Sequence, residues 1–450
     1  MVALIAKLSL TLLGDSLPAI RFLPAVAGAA LVLLAGLMAR ELGGQRFAQG
    51  LTALCVFLAP GFFATDVFFS MNAFEPLFWM GSACLLIRIL NTGNQKLWIW
   101  IGVLCGLGLE NKHSMLIFGS GMVAGLLLTP ERRVFRQKWI WIGGAIAALL
   151  FLPNVLWNIQ HHFPFLELQA NIRRNGRNVD LNLLSFLGQE ALAMLPLAVP
   201  VWLAGLWYLL AGRGKPYRAL GWAWLFTAAV VILANPRIYY LFPAFPLLFA
   251  AGSVQWEMWT MRLRWPRLVY AGLMLVLAAV LAPFAVPVLS VETYIRYSEA
   301  LHFAPPRIEN NHLGPLPQLY ADQFGWDEMA ATVGRAFNNL PPEVRAKTAI
   351  FGQNYGQAGA IDFFGPKYGL PKAISGHKTY FLWGPRGYSG DSMIVLGDRQ
   401  EVLERLFDHV EKVEHVEHPY SMPYQQFDVF YCRGIRTPLP ELWPQLKRWN

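Results

Sequence analysis

The chain has 450 residues, of which 55% are apolar and 14% are charged, and its formal net charge is +9. A soluble domain keeps about a quarter of its residues charged, and the apolar residues here form blocks of about 20, the length that crosses a bilayer core. These values exclude a soluble globular protein and indicate a multi-span membrane protein. The Lys and Arg residues lie in small groups between apolar blocks, as topology signals and anionic-lipid contacts do, so no nucleic-acid partner is expected.

The apolar blocks predict ten membrane spans, at residues 18–39, 46–63, 73–91, 97–111, 114–129, 138–157, 184–211, 219–235, 238–256 and 267–289. Alternate connections hold fourteen basic residues: Arg40, Arg46, Arg88, Lys96, Arg132, Arg133, Arg136, Lys138, Arg213, Lys215, Arg218, Arg262, Arg264 and Arg267. By the positive-inside rule these connections are cytoplasmic. The link between the second and third spans, the loop 158–182 and the tail from residue 290 are then expected on the outer face.

Residues 1–16 precede the first predicted span and are expected on the outer face as well. They carry no basic leader and no small-residue cleavage site, so we expect an amphipathic helix lying on the membrane surface. A chain that begins outside predicts one further span and its outer loop upstream of Met1. In the alternative interpretation, residues 1–16 insert as part of a longer first helix.

Residues 62–79 form a polar link between the second and third spans. The link carries Asp66, Asn72 and Glu75 among seven aromatic residues. Ionisable groups at the depth where a span ends are costly to keep there, and they generally mark a site. A carboxylate in a partly dry cleft can serve as a general acid or base, or as a metal ligand. In the structural alternative, Asp66 caps a turn and Glu75 favours the start of the next helix through its dipole.

The sequence Glu110-Asn-Lys-His interrupts an apolar run at the outer end of the fourth span. A hydrogen-bonded Glu/Lys pair that joins two helices would explain it, and so would a cationic site for a lipid phosphate. We favour Lys112 as the phosphate-binding cation, because the neighbouring spans give it no evident structural need.

The outer loop 158–182 places histidines and arginines beside aromatic residues suited to the lipid headgroup level. Arg173, Arg174 and Arg177 could hold a phosphate with forked guanidinium geometry; solvated loop charge is an equal alternative. His161 and His162 would form a metal site only with carboxylates from elsewhere in the chain. No cofactor is therefore assigned, and a divalent metal ion is a weaker alternative.

Another outer turn and the tail complete the pattern. Arg237 adjoins Tyr239 and Tyr240, which adds a cation and two aromatic rings to the outer face. From residue 290 the composition becomes mixed polar and charged, which predicts a small α/β domain. Its strands are predicted at Thr348–Phe351, Thr379–Trp383, Met393–Leu396 and Asp428–Tyr431, and its helices at Trp326–Phe337 and Arg399–Val410.

The predicted architecture is mostly α: a polytopic helical membrane bundle with a small C-terminal α/β domain on the periplasmic side. The chain divides into a membrane-surface helix (1–16), a transmembrane domain (17–289) and the periplasmic domain (290–450).

Several motifs in this order resemble those of one family. They are Leu17-Pro-Ala-Ile-Arg-Phe-Leu-Pro-Ala, Ser70-Met-Asn-Ala-Phe-Glu-Pro, Gly106-Leu-Gly-Leu-Glu-Asn-Lys-His-Ser, Pro153-Asn-Val-Leu-Trp-Asn, Tyr239-Tyr-Leu-Phe-Pro-Ala-Phe-Pro, Gly325-Trp-Asp-Glu and Asn354-Tyr-Gly-Gln-Ala. The chain resembles bacterial membrane glycosyltransferases of the dolichyl-phosphate-mannose–protein mannosyltransferase superfamily, which have the GT-C fold and include the aminoarabinose-to-lipid A transferase.

The resemblance implies that a sugar moves, with inversion, from a polyprenyl-phosphate donor to a lipid, glycan or protein acceptor. The reaction would take place on the periplasmic face of the bacterial inner membrane. A carboxylate would deprotonate the acceptor, and cations would stabilise the departing lipid phosphate. Lys112 aligns with a lysine of these enzymes and would hold that phosphate. The expected substrate-binding residues are Asn72, Lys112, Arg173, Arg174, Arg237, Tyr239 and Tyr240.

The resemblance also has a gap at the start of the chain. The family's usual catalytic acid lies in an Asp-Glu-type motif on the first outer loop, which would precede Met1. Asp66 and Glu75 are then pocket residues, with a catalytic role only as a fallback.

A membrane protein that binds or passes a glycolipid carrier without chemistry is the alternative function. A transporter is disfavoured, because the sequence shows no inverted repeat.

Overall fold

The computed structural model describes residues 1–234, 237–262 and 265–449. Arg264, one of the basic residues in the predicted cytoplasmic loops, lies outside these ranges, as does the last residue of the predicted span 219–235. The chain forms two compact units. The first comprises Met1–His161 and Asp180–Tyr294, and the second comprises His162–Val179 and Ile295–Asn450. The second unit thus takes in residues 162–179, which the sequence-based division leaves in the membrane domain.

The described part of the first unit consists of helices and the links between them, without a strand. In chain order the helices up to residue 290 are α1 (Val2–Leu13), α2 (Leu17–Glu41), α3 (Arg46–Leu58), α4 (Pro60–Asp66), α5 (Met71–Thr92), α6 (Trp98–Asn111), α7 (Met115–Leu127), α8 (Lys138–Gln160), α9 (Pro164–Arg174), α10 (Leu183–Ala193), α11 (Val199–Leu210), α12 (Arg218–Ala234), α13 (Phe245–Trp259) and α14 (Trp265–Leu281). All of them belong to the first unit except α9, which belongs to the second.

Apolar helices of membrane-spanning length confirm a helical membrane protein. Among the described residues six helices are long and apolar enough to cross a bilayer, and eight if each of two bent pairs counts as one span. The helices α6 and α7 match two further predicted spans, but they have only 14 and 13 residues. A span count of ten therefore stays a prediction.

Two of the predicted spans are broken helices, not continuous ones. The predicted span 46–63 corresponds to α3 and α4, which meet at 61°, and the predicted span 184–211 corresponds to α10 and a second helix beginning at Pro196, which meet at 99°. A proline follows each break, at Pro60 and Pro196. Because the residue before a proline is driven out of helical geometry, the chain turns there. Leu195, at the second break, has a positive φ of 69°.

Residues 1–16 form a helix that is separate from the first long span. Gly14 has a φ of 85°, and the Ser16 side chain caps the start of α2 by accepting a hydrogen bond from the Ala19 amide. A single longer first helix is therefore wrong. The Ser9 hydroxyl donates to the Ala19 carbonyl at 2.5 Å, which fixes α1 against α2.

Small residues allow the helices of the first unit to pack closely. A side chain at Gly205 of α11 would collide with the backbone of Leu248 on α13, and one at Gly252 would collide with the backbone of Val201. In a bilayer, where lipid tails are as apolar as leucine, close backbone approach of this kind supplies much of the packing energy between helices.

The second unit contains a four-stranded sheet covered on both faces. After α15 (Val291–Leu301), its elements are α16 (Gln318–Ala321), α17 (Trp326–Asn338), α18 (Pro342–Arg345), β1 (Ala349–Gly352), α19 (Tyr355–Phe364), α20 (Thr379–Leu382), β2 (Ser392–Leu396), α21 (Gln400–Leu406), β3 (Phe407–Val416), β4 (Phe427–Ile435) and α22 (Leu439–Leu442). The strand order is β1-β2-β4-β3, with β1 and β2 parallel and the other pairs antiparallel. Alternate sheet residues face two cores, so Ile394 packs with α17 and α19 while Val395 packs with α21 and α22.

This sheet confirms three of the four predicted strands and corrects the fourth. Residues 379–383 form the short helix α20 instead of a strand. Lys378 enters it with a φ of 53°, and the Phe381 ring stacks on Trp443 at a centroid distance of 6.0 Å. Tertiary packing therefore overrides the local strand propensity. The predicted helix Trp326–Phe337 is confirmed as α17.

The predicted helix Arg399–Val410 is half wrong. It ends at Leu406, after which the chain continues as the edge strand β3. The exposed positions of β3 carry charged residues, as is common on the edge of a sheet, and that composition suggests a helix when the sequence is taken alone.

Candidate functional site

The polar interruption at residues 110–113 ends one membrane helix and begins the next. The helix α6 ends at Asn111, and Lys112 leaves it with extended backbone angles, φ −158° and ψ 133°. Its amide still donates to the Gly108 carbonyl at 2.8 Å, which completes the last turn of α6. The short link 112–114 before α7 therefore presents the side chains of Lys112 and Ser114 to neighbouring helices.

Lys112 forms a buried ion pair with Glu75, which lies on α5. The Lys112 Nζ donates to Glu75 Oε2 at 2.7 Å and to Asn72 Oδ1 at 3.0 Å. The Ser114 hydroxyl donates to the other Glu75 oxygen. The side chains of Lys112 and Glu75 are only 10% and 3% exposed. The structural alternative, a Glu/Lys pair that joins two helices, is therefore present with Glu75 as the acidic partner, and the expectation that Lys112 has no structural need is wrong.

Two stacked tyrosines cover the ammonium group of Lys112. The 3-10 segment Ile238–Tyr240 places the rings of Tyr239 and Tyr240 5.1 Å apart, and the Lys112 Nζ lies 5.3 Å and 4.2 Å from their centroids. Aromatic faces attract cations electrostatically. Arg237 donates to the Tyr239 hydroxyl at 3.2 Å, so a second cation adjoins the pair.

These contacts define the lysine cluster: Asn72, Glu75, Lys112, Ser114, Arg237, Tyr239 and Tyr240. The structure brings together five of the predicted binding residues and one of the two fallback carboxylates. The ion pair itself is neutral, and Arg237 leaves the cluster with a net positive charge. Such a cluster can hold one anionic group if that group replaces an existing partner of Lys112.

The position of Glu75 excludes the helix-dipole alternative as the main explanation for this residue. The cap at the start of α5 is Ser70, whose hydroxyl accepts a hydrogen bond from the Asn72 amide at 3.2 Å. Glu75 lies one turn further into the helix and contacts Lys112 instead.

The other carboxylate, Asp66, is the last residue of α4 and lies outside the lysine cluster. Its side chain contacts α2 at Gly28, where a Cβ atom would collide with the carboxylate. Within the described ranges Asp66 makes no ion pair. Asp66 is therefore a carboxylate at a span end that no cation of the described residues neutralises, and its catalytic role stays a fallback proposal.

The arginine and histidine predictions from the outer loop are divided between the two units. Arg173 and Arg174 are exposed at the end of α9, in the second unit. His161 stacks on Trp157 with a centroid distance of 4.4 Å, and His162 has a φ of 59°. Within the described ranges no group of three His, Cys, Asp or Glu residues could hold a metal ion.

The sequence analysis did not select two buried polar residues of the first unit, Ser114 and Glu190. Ser114 directly follows the Glu-Asn-Lys-His motif, so its neighbourhood was a sufficient signal. Glu190 is 1% exposed on α10, and its presence as the one acid in an apolar run of residues 183–211 could have been noticed.

Comparisons with known proteins agree with the fold and with the motifs. Residues 1–157 match the family model described as dolichyl-phosphate-mannose-protein mannosyltransferase. The lipid A galacturonosyltransferase RgtD of Rhizobium johnstonii is 32% identical over 114 residues; this match spans 25% of the chain and 24% of RgtD, about a quarter of the curated relative's length.

Two solved structures share the fold over most of the chain. They are ArnT from Cupriavidus metallidurans bound to undecaprenyl phosphate and the same protein in the apo state. Each has a TM-score of 0.59 and 14% sequence identity, with 96% of this chain covered and 87% and 86% of the respective ArnT chains. The first 157 residues therefore match the dolichyl-phosphate-mannose-protein mannosyltransferase family model, and the chain shares the fold of ArnT over most of its length.

Proposed function

We propose that the protein transfers a sugar from a polyprenyl-phosphate donor to a lipid acceptor, with inversion at the anomeric carbon, on the periplasmic face of a bacterial inner membrane. The observation that carries this proposal is the lysine cluster, in which a buried ammonium group lies beside a second cation and under two aromatic rings. The similarity to ArnT, which binds undecaprenyl phosphate, and to a lipid A galacturonosyltransferase supports the choice of donor and acceptor class.

Lys112 is the residue that would bind the phosphate of the donor. Its ammonium group has three hydrogens, and Glu75 and Asn72 already accept two of them while the Tyr240 ring faces the group. A phosphate oxygen therefore binds by exchange with one of these partners. Arg237 supplies the additional positive charge that favours an anion at this position.

The same exchange gives each charged group a role in transfer. The bond from the anomeric carbon to the phosphate oxygen breaks as an acceptor oxygen attacks from the opposite face. The cations of the cluster stabilise the departing phosphate. A carboxylate must take the acceptor proton. Asp66 has no cationic partner in the part of the chain that the structure describes, and Glu75 loses its own when a phosphate takes Lys112, so both remain fallback bases.

The test is a donor-transfer assay on the purified full-length protein, with extracted lipid-linked sugars as donors. The double variant Lys112→Met/Glu75→Gln removes one positive and one negative charge, so the net charge of the cluster is unchanged. It is expected to lower transfer at least about tenfold, because one hydrogen bond to a charged group is lost. Lys96→Met, an exposed lysine in a predicted cytoplasmic loop, is the matched control. Unchanged turnover of the double variant at saturating donor would contradict the phosphate assignment.

Binding without transfer would favour the second candidate function. If the unmodified protein binds undecaprenyl phosphate but consumes no lipid-linked sugar, a non-catalytic glycolipid carrier replaces the enzyme proposal. The observation that favours the non-catalytic carrier is the neutral Lys112–Glu75 pair.

The periplasmic position of the second unit is part of the proposal, and it rests on the charge asymmetry of the loops. Ala346 is exposed in the second unit. A cysteine at this position is expected to react with a membrane-impermeant maleimide once the outer membrane is permeabilised. Labelling only after the inner membrane is broken would reverse the orientation.

A further inference from the structure

One buried carboxyl group of the first unit has no partner within the described residues. Neither oxygen of Glu190 accepts or donates a hydrogen bond there, although the residue is only 1% exposed. The other buried carboxylates are held differently. Glu75 accepts a hydrogen bond from Lys112. Glu309 of the second unit accepts hydrogen bonds from Arg177 and Asn311.

An unpartnered carboxyl group destabilises the fold in both protonation states. The ionised form is buried without a counter-charge, and the neutral form still leaves a hydroxyl and a carbonyl unsatisfied. The broken span that contains Glu190 could hold an apolar residue at this position without that penalty. A group retained there is better explained by a ligand than by packing.

The neighbours of α10 place Glu190 beside the proposed site. The helix α10 packs against α4, which ends at Asp66, and against the segment Ile238–Tyr240. One face of the helix is formed by buried residues spaced four positions apart: Phe186, Glu190 and Met194. A Cβ atom on Gly61 of α4 would lie 2.8 Å from Met194 Cε and 2.6 Å from the Phe242 ring. The face that carries Glu190 is therefore turned toward α4.

The break in the span supports the same location. Glu190 lies one turn before Leu195, where the positive φ and the following proline turn the chain by 99°. Polar groups beside interrupted membrane helices commonly contribute to substrate sites, because the irregular backbone lines a cavity.

We propose that Glu190 binds the transferred sugar by accepting hydrogen bonds from its hydroxyl or ammonium groups. This inference rests on the proposed function. The ionised phosphodiester of the donor and a lipid tail both lack a hydrogen-bond donor, so neither is the ligand. The sugar supplies such donors next to the phosphate.

Binding of defined probes to the purified full-length protein tests the assignment. The probes are undecaprenyl phosphate alone and undecaprenyl phosphate carrying a neutral hexose, an amino sugar or a uronic acid. The variants are Glu190→Gln, which retains shape and polarity, and Glu190→Leu, which removes the polar group. Ser253→Ala is the matched control, because the Ser253 hydroxyl is buried without a partner on α13.

We expect both Glu190 variants to bind undecaprenyl phosphate as the unmodified protein does. Their affinity for the hexose and amino-sugar probes should fall about tenfold to a hundredfold, as expected for lost hydrogen bonds to a carboxylate. The affinity for the uronic acid probe should fall in the same way, because its hydroxyl groups offer the same hydrogen bonds. Glu190→Leu should have a melting temperature at or above that of the unmodified protein, since an unsatisfied polar group is gone.

Each contrary result has one meaning. Normal binding of the sugar probes by Glu190→Leu would overturn the inference, and so would a lowered melting temperature, which would show that Glu190 has a structural role. A loss confined to the KM for the acceptor would assign Glu190 to the acceptor and overturn the donor-sugar role. If the unmodified protein binds none of the probes, the proposed function itself fails, and the Glu190 role fails with it.

Discussion

The Lys112–Glu75 ion pair allows a quantitative prediction. Replacing Lys112 by methionine keeps the apolar stem but removes the charge. Glu75, whose side chain is 3% exposed, then retains only the hydroxyl of Ser114 as a hydrogen-bond donor. Removing one partner of a buried pair destabilises a protein by about 3–5 kcal/mol, because the remaining charge is buried without compensation. The near-complete burial of Glu75 places Lys112→Met in the upper part of that range.

The reverse substitution should be milder. Glu75→Gln keeps an oxygen that can accept from Lys112, while Asn72 and the Tyr240 ring still hold the ammonium group. We expect the loss to lie near about 3 kcal/mol, the lower end of the range for buried pairs. The double variant buries no charge and should remain within about 2 kcal/mol of the unmodified protein, so the effects of the two substitutions are coupled, not additive.

Unfolding in micelles measures this coupling. Protein purified in a mild detergent is titrated with sodium dodecyl sulfate, and the loss of helix is followed by circular dichroism for the two single variants, the double variant and the exposed control Lys96→Met. The control should change the free energy of unfolding by less than about 0.5 kcal/mol. Additive effects, or a loss below about 1 kcal/mol for Lys112→Met, would show a solvent-screened contact of the surface type and refute the reasoning.

Two further predictions concern the second unit. Arg177→Ala should destabilise the second unit by about 2–3 kcal/mol, because the buried Glu309, which is 4% exposed, loses a donor at 3.0 Å. Faster proteolysis within residues 162–179 would report the loss of stability. An unchanged cleavage rate would contradict the prediction. Lys412 and His415 lower the pKa of Asp428 below its usual 3.8, so Asp428 contributes stability above that pH that is lost as the pH falls through the lowered pKa. The contribution of this partly exposed group is at most about 1 kcal/mol. Between pH 6 and pH 3 the melting temperature of Asp428→Asn should therefore fall less than that of the unmodified protein. An equal fall would assign the effect to other groups.

Apolar block length was sufficient to predict a membrane-helical protein, and strand-forming residues were sufficient to predict a small sheet. The breaks at Pro60 and Pro196 were not predicted, because membrane helices tolerate proline when neighbouring groups satisfy the backbone. Hydropathy alone therefore cannot distinguish a kinked span from a broken one. The edge strand β3 escaped for a related reason, since its charged residues fit a helix equally well until pairing with β4 is known.

The sequence predicted which residues belong to the candidate site but not which of them contact each other. Glu75 and Lys112 were both selected from the cost of ionisable groups near span ends. Their contact depends on the way α5 packs against α6, which no local pattern specifies. The sequence analysis considered ionisable groups only near span ends and therefore did not select Glu190. The cost of burying an ionisable group is even higher within a span.

The neutrality of the Lys112–Glu75 ion pair has a consequence for selectivity in a crowded bilayer. Bacterial membranes contain abundant anionic phospholipids, and an exposed lysine would attract all of their headgroups without discrimination. In this protein Glu75 already occupies Lys112, so a headgroup gains little from its charge alone. A phosphate must compete with a carboxylate at 2.7 Å from the ammonium group, and only a lipid whose other parts also fit can do so. In the proposed mechanism the internal carboxylate competes with lipid headgroups for Lys112 and so keeps bulk lipid out of the site.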